Sequence, residues 1–195
     1  MLASFPGALI LNDFNRIILY PLKQINALIT ELHGFLMKYK RPSWDETFMG
    51  IVYVVSKRGT CDRGRNAAVV ARGKQILSFG YVGSPSGEPH CDDVGHLIRK
   101  VTHGDGSESY HCVRTDHAEK NAIKNAKSLR LKVKGATLYT KMTPCIDCAN
   151  AIKKSGIEKV VCVKKYHRLE GEEILNKAGV KIVYLTDELM KYKKQ

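Results

Sequence analysis

Two short segments of the 195-residue chain carry side chains that can do chemistry together, Thr115-Asp116-His117-Ala118-Glu119 and Thr143-Pro144-Cys145-Ile146-Asp147-Cys148. They supply one imidazole, two thiols and one nearby carboxylate. Three protein ligands, His117, Cys145 and Cys148, leave a fourth tetrahedral position for water, which separates a catalytic zinc from a structural zinc with four protein ligands. Two thiolates and an imidazole also form a soft set that favours zinc over magnesium or calcium. Each segment is expected to open a helix, whose first turn presents unpaired N–H groups and a positive dipole end. Cys145, just after Pro144, would have its thiol pKa lowered there. His117 and Glu119 are two residues apart and do not share a helical face, so His117 can bind the metal while Glu119 leans over the water.

A metal in this set would bring the pKa of bound water down to about 7. Glu119 would take that proton and return protons to ring N3 and the departing amine of a cytosine attacked at C4, giving uracil and ammonia. A His-x-Glu joined to a Pro-Cys-x-x-Cys is the signature of zinc-dependent base deamination. A lone Cys-x-x-Cys is more often structural zinc, and Glu119 would then be a capping carboxylate. The two motifs open successive predicted helices with a strand between, and that order favours catalysis.

The rest of the chain must position these groups. Its length and 44% hydrophobic content suit one domain with a buried core. Leu22, Ile25, Leu28, Ile29, Leu32, Phe35 and Leu36 recur at helical spacing after Pro21. The break at Lys40-Arg41-Pro42 sets a boundary between an accessory segment, 1–40, and a main domain, 41–195. Ser43 and Glu46 have capping-box spacing for a helix running towards Lys57. Ala67 to Ala71 and Ile76 to Val82 read as a hairpin, and Gly83 to Arg114 as a long functional loop. Helices from about His117, Cys145 and Glu172 then alternate with strands at Ala136 to Thr140, Lys159 to Val163 and Lys181 to Leu185. This alternation predicts an α/β three-layer sandwich, a central mixed sheet flanked by helices.

The formal charge of +13 suits an anionic partner, although lysines such as Lys191, Lys193 and Lys194 read as a solvated end. The apolar stretch Ala8 to Tyr20 is interrupted by Asn12, Asp13, Asn15 and Arg16, so no membrane association is expected. Nothing at the N-terminus reads as a secretion signal, which predicts a cytoplasmic, reducing setting where cysteines are metal ligands before they are disulfides. Cys162 lies in the apolar run Val160 to Val163 and reads as a core thiol.

From about Arg41 to Leu185 the chain resembles the deoxycytidylate deaminase family. Besides the two zinc motifs, the resemblance rests on Arg41-Pro42-Ser43-Trp44-Asp45 with Phe48-Met49, the glycine-rich Gly80 to Gly87, Asn121-Ala122-Ile123 and Gly135 to Thr140. It implies hydrolysis of the nucleotide dCMP to dUMP, a homo-oligomer, and control by dCTP and dTTP. It also implies substrate contacts from Asn66, Tyr81, Ala118, Tyr139, Thr140 and Pro144, with Arg65 and Lys165 as phosphate partners. Val82 stands where the family's turn carries asparagine, and Asn66-Ala67-Ala68 where it reads Val-Gly-Ala; Asn66 is a candidate to supply the missing amide. The first forty residues lie outside the resemblance, as an accessory helix, an oligomer interface or a stretch before a natural start at Met37.

Three cysteines remain, and two of them flank the long loop. Some members of the resembled family carry a second metal, and the competence-operon branch has a Cys five residues after the first where this chain has His96 after Cys91. A structural zinc on Cys61, Cys91, His96 and Cys112 is therefore expected, with His90, His103 and His111 competing for the fourth place. Two other functions compete. A deaminase acting on RNA or DNA would share the zinc motif, but no aromatic-studded basic strand for stacking bases is visible. A non-catalytic zinc module would have no need of Glu119.

Overall fold

The structure, a computed structural model, describes Asn26, Ile29 and residues 39–102, 106–166, 168–186 and 189–190. The chain divides into two compact units, Met1–Arg41 and Pro42–Gln195. The helix expected over Leu22 to Leu36 lies outside the described residues apart from Asn26 and Ile29, both helical, as do the Lys191 to Lys194 tail and His103.

The second unit opens with α1 (Trp44–Ser56), started by the expected capping box, in which the Ser43 hydroxyl accepts from the Glu46 N–H and the Glu46 carboxylate accepts from the Ser43 N–H. Strands β1 (Ala67–Arg72) and β2 (Gln75–Tyr81) form the expected hairpin, with Gly73 at φ +59 in its two-residue turn. The chain continues through α2 (Cys91–Val94), β3 (Ile98–Thr102), β4 (Glu108–Cys112) and α3 (Ala118–Ser128). It ends with β5 (Thr137–Met142), α4 (Ile146–Ser155), β6 (Lys159–Tyr166), α5 (Glu170–Lys177), β7 (Lys181–Tyr184) and a short β8 (Leu189–Met190) that pairs with the end of β6. The main sheet runs β2-β1-β5-β6-β7, antiparallel at β2/β1/β5 and parallel at β5/β6/β7.

Period-two alternation divides the core. Ala67, Val69, Tyr139, Val161 and Val163 meet Phe48, Met49 and Val52 of α1 on one face. Ala68, Val70, Leu138, Val160 and Cys162 meet Ala122 and Ala126 of α3, Ala149 and Ile152 of α4 and Leu175 of α5 on the other. The three-layer expectation is met, and Cys162 is fully buried in the second cluster.

The segment from Gly83 to Arg114 is not the structureless loop that its composition predicts. It contains α2 and the β3–β4 hairpin, whose strands are mostly exposed and carry no apolar face. Lys100 and Glu108 pair across it at 2.6 Å. Gly80 lies in β2, within the strand expected from Ile76 to Val82, where a Cβ would sit 2.3 Å from the Ala122 nitrogen. Only glycine lets α3 press its backbone onto this strand.

Asp45 ties α1 to the sheet, accepting from the Tyr139 hydroxyl at 2.7 Å and from Lys159 Nζ at 2.8 Å. Burial raises the Asp45 pKa, but the hydrogen bonds from Lys159 and Tyr139 outweigh it and hold the carboxyl below its ordinary value. A depressed folded pKa contributes stability above the unfolded pKa, and that contribution is lost as pH falls through the folded one. Asp45→Ala strands the buried Tyr139 hydroxyl and is expected to cost about 1–3 kcal/mol at neutral pH. Thermal unfolding of both proteins should show the gap shrinking below about pH 4, and a gap that widens there would remove the assigned role.

Candidate metal and proton-transfer site

Both chemical motifs sit at helix starts. His117 is the N-cap of α3 and Cys145 the N-cap of α4, each in extended backbone and neither using its side chain to cap. Their carbonyls accept the first helical N–H, from Asn121 at 3.0 Å and Ala149 at 2.8 Å. Each side chain is thereby turned out of its helix, free to ligate. A bridge between Gly83 and Asp116 (2.9 and 3.3 Å) anchors the chain just before His117 to the end of β2. Cys148 follows in the first turn of α4, fully buried.

His117 Nδ1 lies 3.3 Å from Cys145 Sγ and 3.4 Å from Cys148 Sγ, and the three ligand atoms all lie within 4.8 Å of one another. Tetrahedral zinc with ordinary Zn–S and Zn–N bonds requires N···S separations of about 3.6 Å, so the set fits that ion. Its charges point the same way. The Cys145 thiol is pushed down to about 3 by the Cys148 thiol and by His117, against the burial that raises it. His117 is pushed up to about 9 by Cys145, against the burial that lowers it. The negative charge favoured at Cys145 suits a cation beside it.

Glu119 stands beside this set, 5% exposed, with Oε2 accepting from Cys148 Sγ at 3.4 Å. Its Oε1 accepts from the Thr140 hydroxyl at 2.8 Å and from Asn66 Nδ2 at 3.5 Å. A buried carboxylate against a three-ligand cluster can exchange protons with whatever occupies the fourth position.

The model of the cytidine and deoxycytidylate deaminase zinc-binding region matches residues 42–164. The chain belongs to that family. Among its relatives, ComE operon protein 2 of Bacillus subtilis (strain 168) is 33% identical over 144 residues, 73% of this chain and 71% of that protein. The deoxycytidylate deaminase of Mycobacterium phage D29 is 37% identical over 128 residues, 64% of this chain and 98% of that protein. The crystal structure of dCMP deaminase from cyanophage S-TIM5 in complex with dCMP and dUMP is similar with a TM-score of 0.58 at 26% identity, over 78% of this chain and 100% of that one.

Against this family background, the candidate substrate contacts divide. Asn66, Thr140 and Pro144 cluster at the buried floor of the site or at its ligand turn, and Ala118 packs into the core between His117 and Glu119. Tyr81 is half-buried, and its carbonyl accepts from Asn121 of α3 at 2.9 Å. The Tyr139 side chain is engaged elsewhere. Thr140 faces Glu119, so its strand neighbour faces the opposite side, where the Tyr139 ring packs 5.1 Å from Phe48 and the hydroxyl binds Asp45. Arg65 is engaged by Asp92 in a two-pronged pair at 2.9 and 3.0 Å, and Lys165 by Glu172 at 3.3 Å.

A second cluster joins Cys61, Cys91, His96 and Cys112, also within 4.8 Å of one another. Cys61 Sγ lies 3.7 Å from His96 Nδ1, and Cys91 Sγ 3.5 Å from Cys112 Sγ. Of the competing histidines, His90 caps α2 through its backbone and His111 Nε2 binds Ser109 Oγ at 2.6 Å. His96 Nε2 meets Asp62 Oδ1 at 2.9 Å, an arrangement that orients the other ring nitrogen towards the cluster. Burial, followed by Cys112, pushes Cys91 up to about 12. Cys112 is held at about 7, because the Arg114 and Leu97 N–H groups and the Cys91 thiol outweigh its burial.

Sequence reading missed Asp62, Thr143 and Gly171. Thr143 Oγ1 accepts from the Tyr166 N–H at 3.1 Å and lies 3.2 Å from the Tyr184 hydroxyl, fixing the turn before Pro144. At Gly171 an added Cβ would lie 1.9 Å from the Pro144 carbonyl oxygen. The helix expected from Glu172 began one residue too late to include Gly171, which the structure places in the first turn of α5, where a helical glycine usually has a packing reason. Gly171→Ala is expected to force α5 off the backbone that carries Cys145, costing roughly 1–3 kcal/mol or more. Melting temperature should fall by several degrees and chelators should strip metal faster; wild-type behaviour in both measurements would show that the contact does not position the ligand.

Proposed function

We propose that this chain is a zinc-dependent hydrolase that deaminates dCMP to dUMP and ammonia, with zinc on His117, Cys145 and Cys148 and Glu119 as the proton carrier. The observation that carries the reading is the placement of the buried Glu119 carboxylate 3.4 Å from a ligand of a three-residue cluster whose spacing suits zinc. Names of relatives support the substrate, because several are deoxycytidylate deaminases and one similar crystal structure holds dCMP and dUMP. Bound in this set, zinc would supply an activated water near neutral pH. Glu119 would accept one proton of the attacking water and deliver it to ring N3, then take the second from the hydroxyl now on C4 and deliver it to the amine as the C4–N bond breaks, ending ionised for another cycle. The surrounding core keeps bulk water from the carboxylate.

A structural zinc on Cys61, Cys91, His96 and Cys112 belongs to the same reading. Four protein ligands leave no place for water, so this site would staple α2 and the β3–β4 hairpin to the chain after α1. A homo-oligomer is supported by half-exposed apolar side chains on α1 and β2, namely Tyr53, Val54, Ile76 and Phe79. Control by dCTP and dTTP accompanies the family resemblance. A cytoplasmic location is supported by six free cysteines, five of them in ligand clusters that require reduced thiols. No helix among the described residues is long and apolar enough to cross a membrane.

Glu119→Gln is expected to retain zinc and lose at least about 10³-fold in turnover, since the amide keeps the shape without carrying a proton. Ammonia release from dCMP, deoxycytidine, dCTP and a tRNA stem-loop checks both residue and substrate. Loss of less than about tenfold, or equal kcat/KM for deoxycytidine and dCMP, would contradict the assignment. Metal analysis should return two zinc atoms per chain, falling to one in a Cys91→Ser, Cys112→Ser variant. One zinc in the intact protein, lost only on changing Cys145 or Cys148, would eliminate the structural site.

A further inference from the structure

Two buried polar side chains outside both ligand clusters converge on one oxygen of Glu119. Thr140 is fully buried and Asn66 is 7% exposed. Thr140 Oγ1 donates to Glu119 Oε1 at 2.8 Å and accepts from Asn66 Nδ2 at 3.1 Å, while the same Nδ2 reaches Glu119 Oε1 at 3.5 Å. The amide orientation follows from the backbone: the Ala67 N–H donates to Asn66 Oδ1 at 2.9 Å, and a backbone N–H can face only the carbonyl end. Asn66 itself is held by its main-chain carbonyl, which accepts from the Val82 N–H at 3.0 Å across the hairpin.

Donor counting decides what these groups can do. A primary amide has two N–H donors and a hydroxyl has one. Thr140 gives its only proton to Glu119 and keeps no donor for a nucleotide, while Asn66 Nδ2 reaches Thr140 and Glu119 together from one side. The carboxylate does need holding, because Glu119 lies in the first turn of α3, where the positive helix end and unpaired N–H groups draw it back towards its own backbone. The terminal torsion of a glutamate is also broad, so packing alone does not fix its oxygens.

We propose that Asn66 and Thr140 are positioning residues for Glu119, holding Oε1 through a buried hydrogen-bond chain so that Oε2 faces the His117, Cys145 and Cys148 ligands. They act through the carboxylate and are not the substrate contacts that the sequence reading made of them. The inference rests on the reading of Glu119 as proton carrier, and it explains an asparagine and a threonine where an apolar pair would pack as well.

The test uses the zinc-loaded full chain. Thr140→Val, which removes the hydroxyl and keeps the shape, is expected to lower kcat for dCMP about 100-fold, with KM within about threefold and zinc content unchanged. Thr140→Ser should recover kcat to within about fivefold. Asn66→Ala should lower kcat about tenfold and gives the same readout if valine at 140 does not fold. A raised KM with kcat intact would make these residues substrate contacts, and unchanged kinetics would make them bystanders; either overturns the proposal. A second measurement does not depend on turnover. Thr140→Val should lower the melting temperature by about 4 °C or more in the parent and by less than about 1 °C in a Glu119→Ala background. Equal losses in the two backgrounds would break the chain of hydrogen bonds. If the parent does not convert dCMP, the proposed function fails, and this thermal coupling still decides whether Asn66 and Thr140 hold Glu119.

Discussion

Backbone-to-backbone contact, made possible by two glycines, is the constraint on which the site depends. At Gly80 a single added carbon would lie 2.3 Å from the Ala122 nitrogen, and at Gly171 another would lie 1.9 Å from the Pro144 carbonyl. The first contact sets the height of α3 above β2, and so the position of His117 and Glu119 at its start. The second presses α5 against the turn that carries Cys145 into α4. Ligand atoms 3.3 to 3.4 Å apart tolerate little movement, because zinc bonds lengthen at once if either helix lifts.

The same closeness explains the electrostatics. His117 and Cys145 both stand at N-caps with side chains released from capping, so two positive helix ends converge on one small volume. The Cys148 thiol and His117 favour thiolate at Cys145, while the core around Cys148 and Thr140 excludes water that would screen these charges. Glu119 remains tolerable in that environment because Thr140 and Asn66 satisfy Oε1.

The two Cys/His clusters bring similar residues together in different settings. His117, Cys145 and Cys148 are carried by helix starts fixed to the main sheet, and their number leaves room for a reactant. Cys61, Cys91, His96 and Cys112 come from loops, a four-residue helix and the end of β4, elements with little apolar surface of their own. A hairpin whose strands are mostly exposed gains little from burial, and the structural zinc proposed above would hold it instead. Arg65, engaged with Asp92 of α2, ties this loop to the chain after α1.

What could be read from sequence was local or periodic. The Ser43/Glu46 capping box, the hairpin from Ala67 to Tyr81, the alternating helices and strands beyond His117 and the residue types of the ligands all follow from spacing along the chain. The β3–β4 hairpin escaped because Arg99, Lys100, Glu108 and Ser109 give no apolar alternation. That the Tyr139 side chain turns to Phe48 and Asp45 while Thr140 turns to Glu119 was not legible, because a motif names neighbours without saying which face each takes. The sequence by itself determined the fold class and the chemistry of the ligands, since both depend on residue type and periodicity. Only the tertiary structure decided that Asn66 and Thr140 meet Glu119, that Asp62 backs His96, and that Gly80 and Gly171 admit two backbones. Those contacts join residues 21 to 74 positions apart, or depend on ångström-scale approach between elements, and no local pattern encodes either.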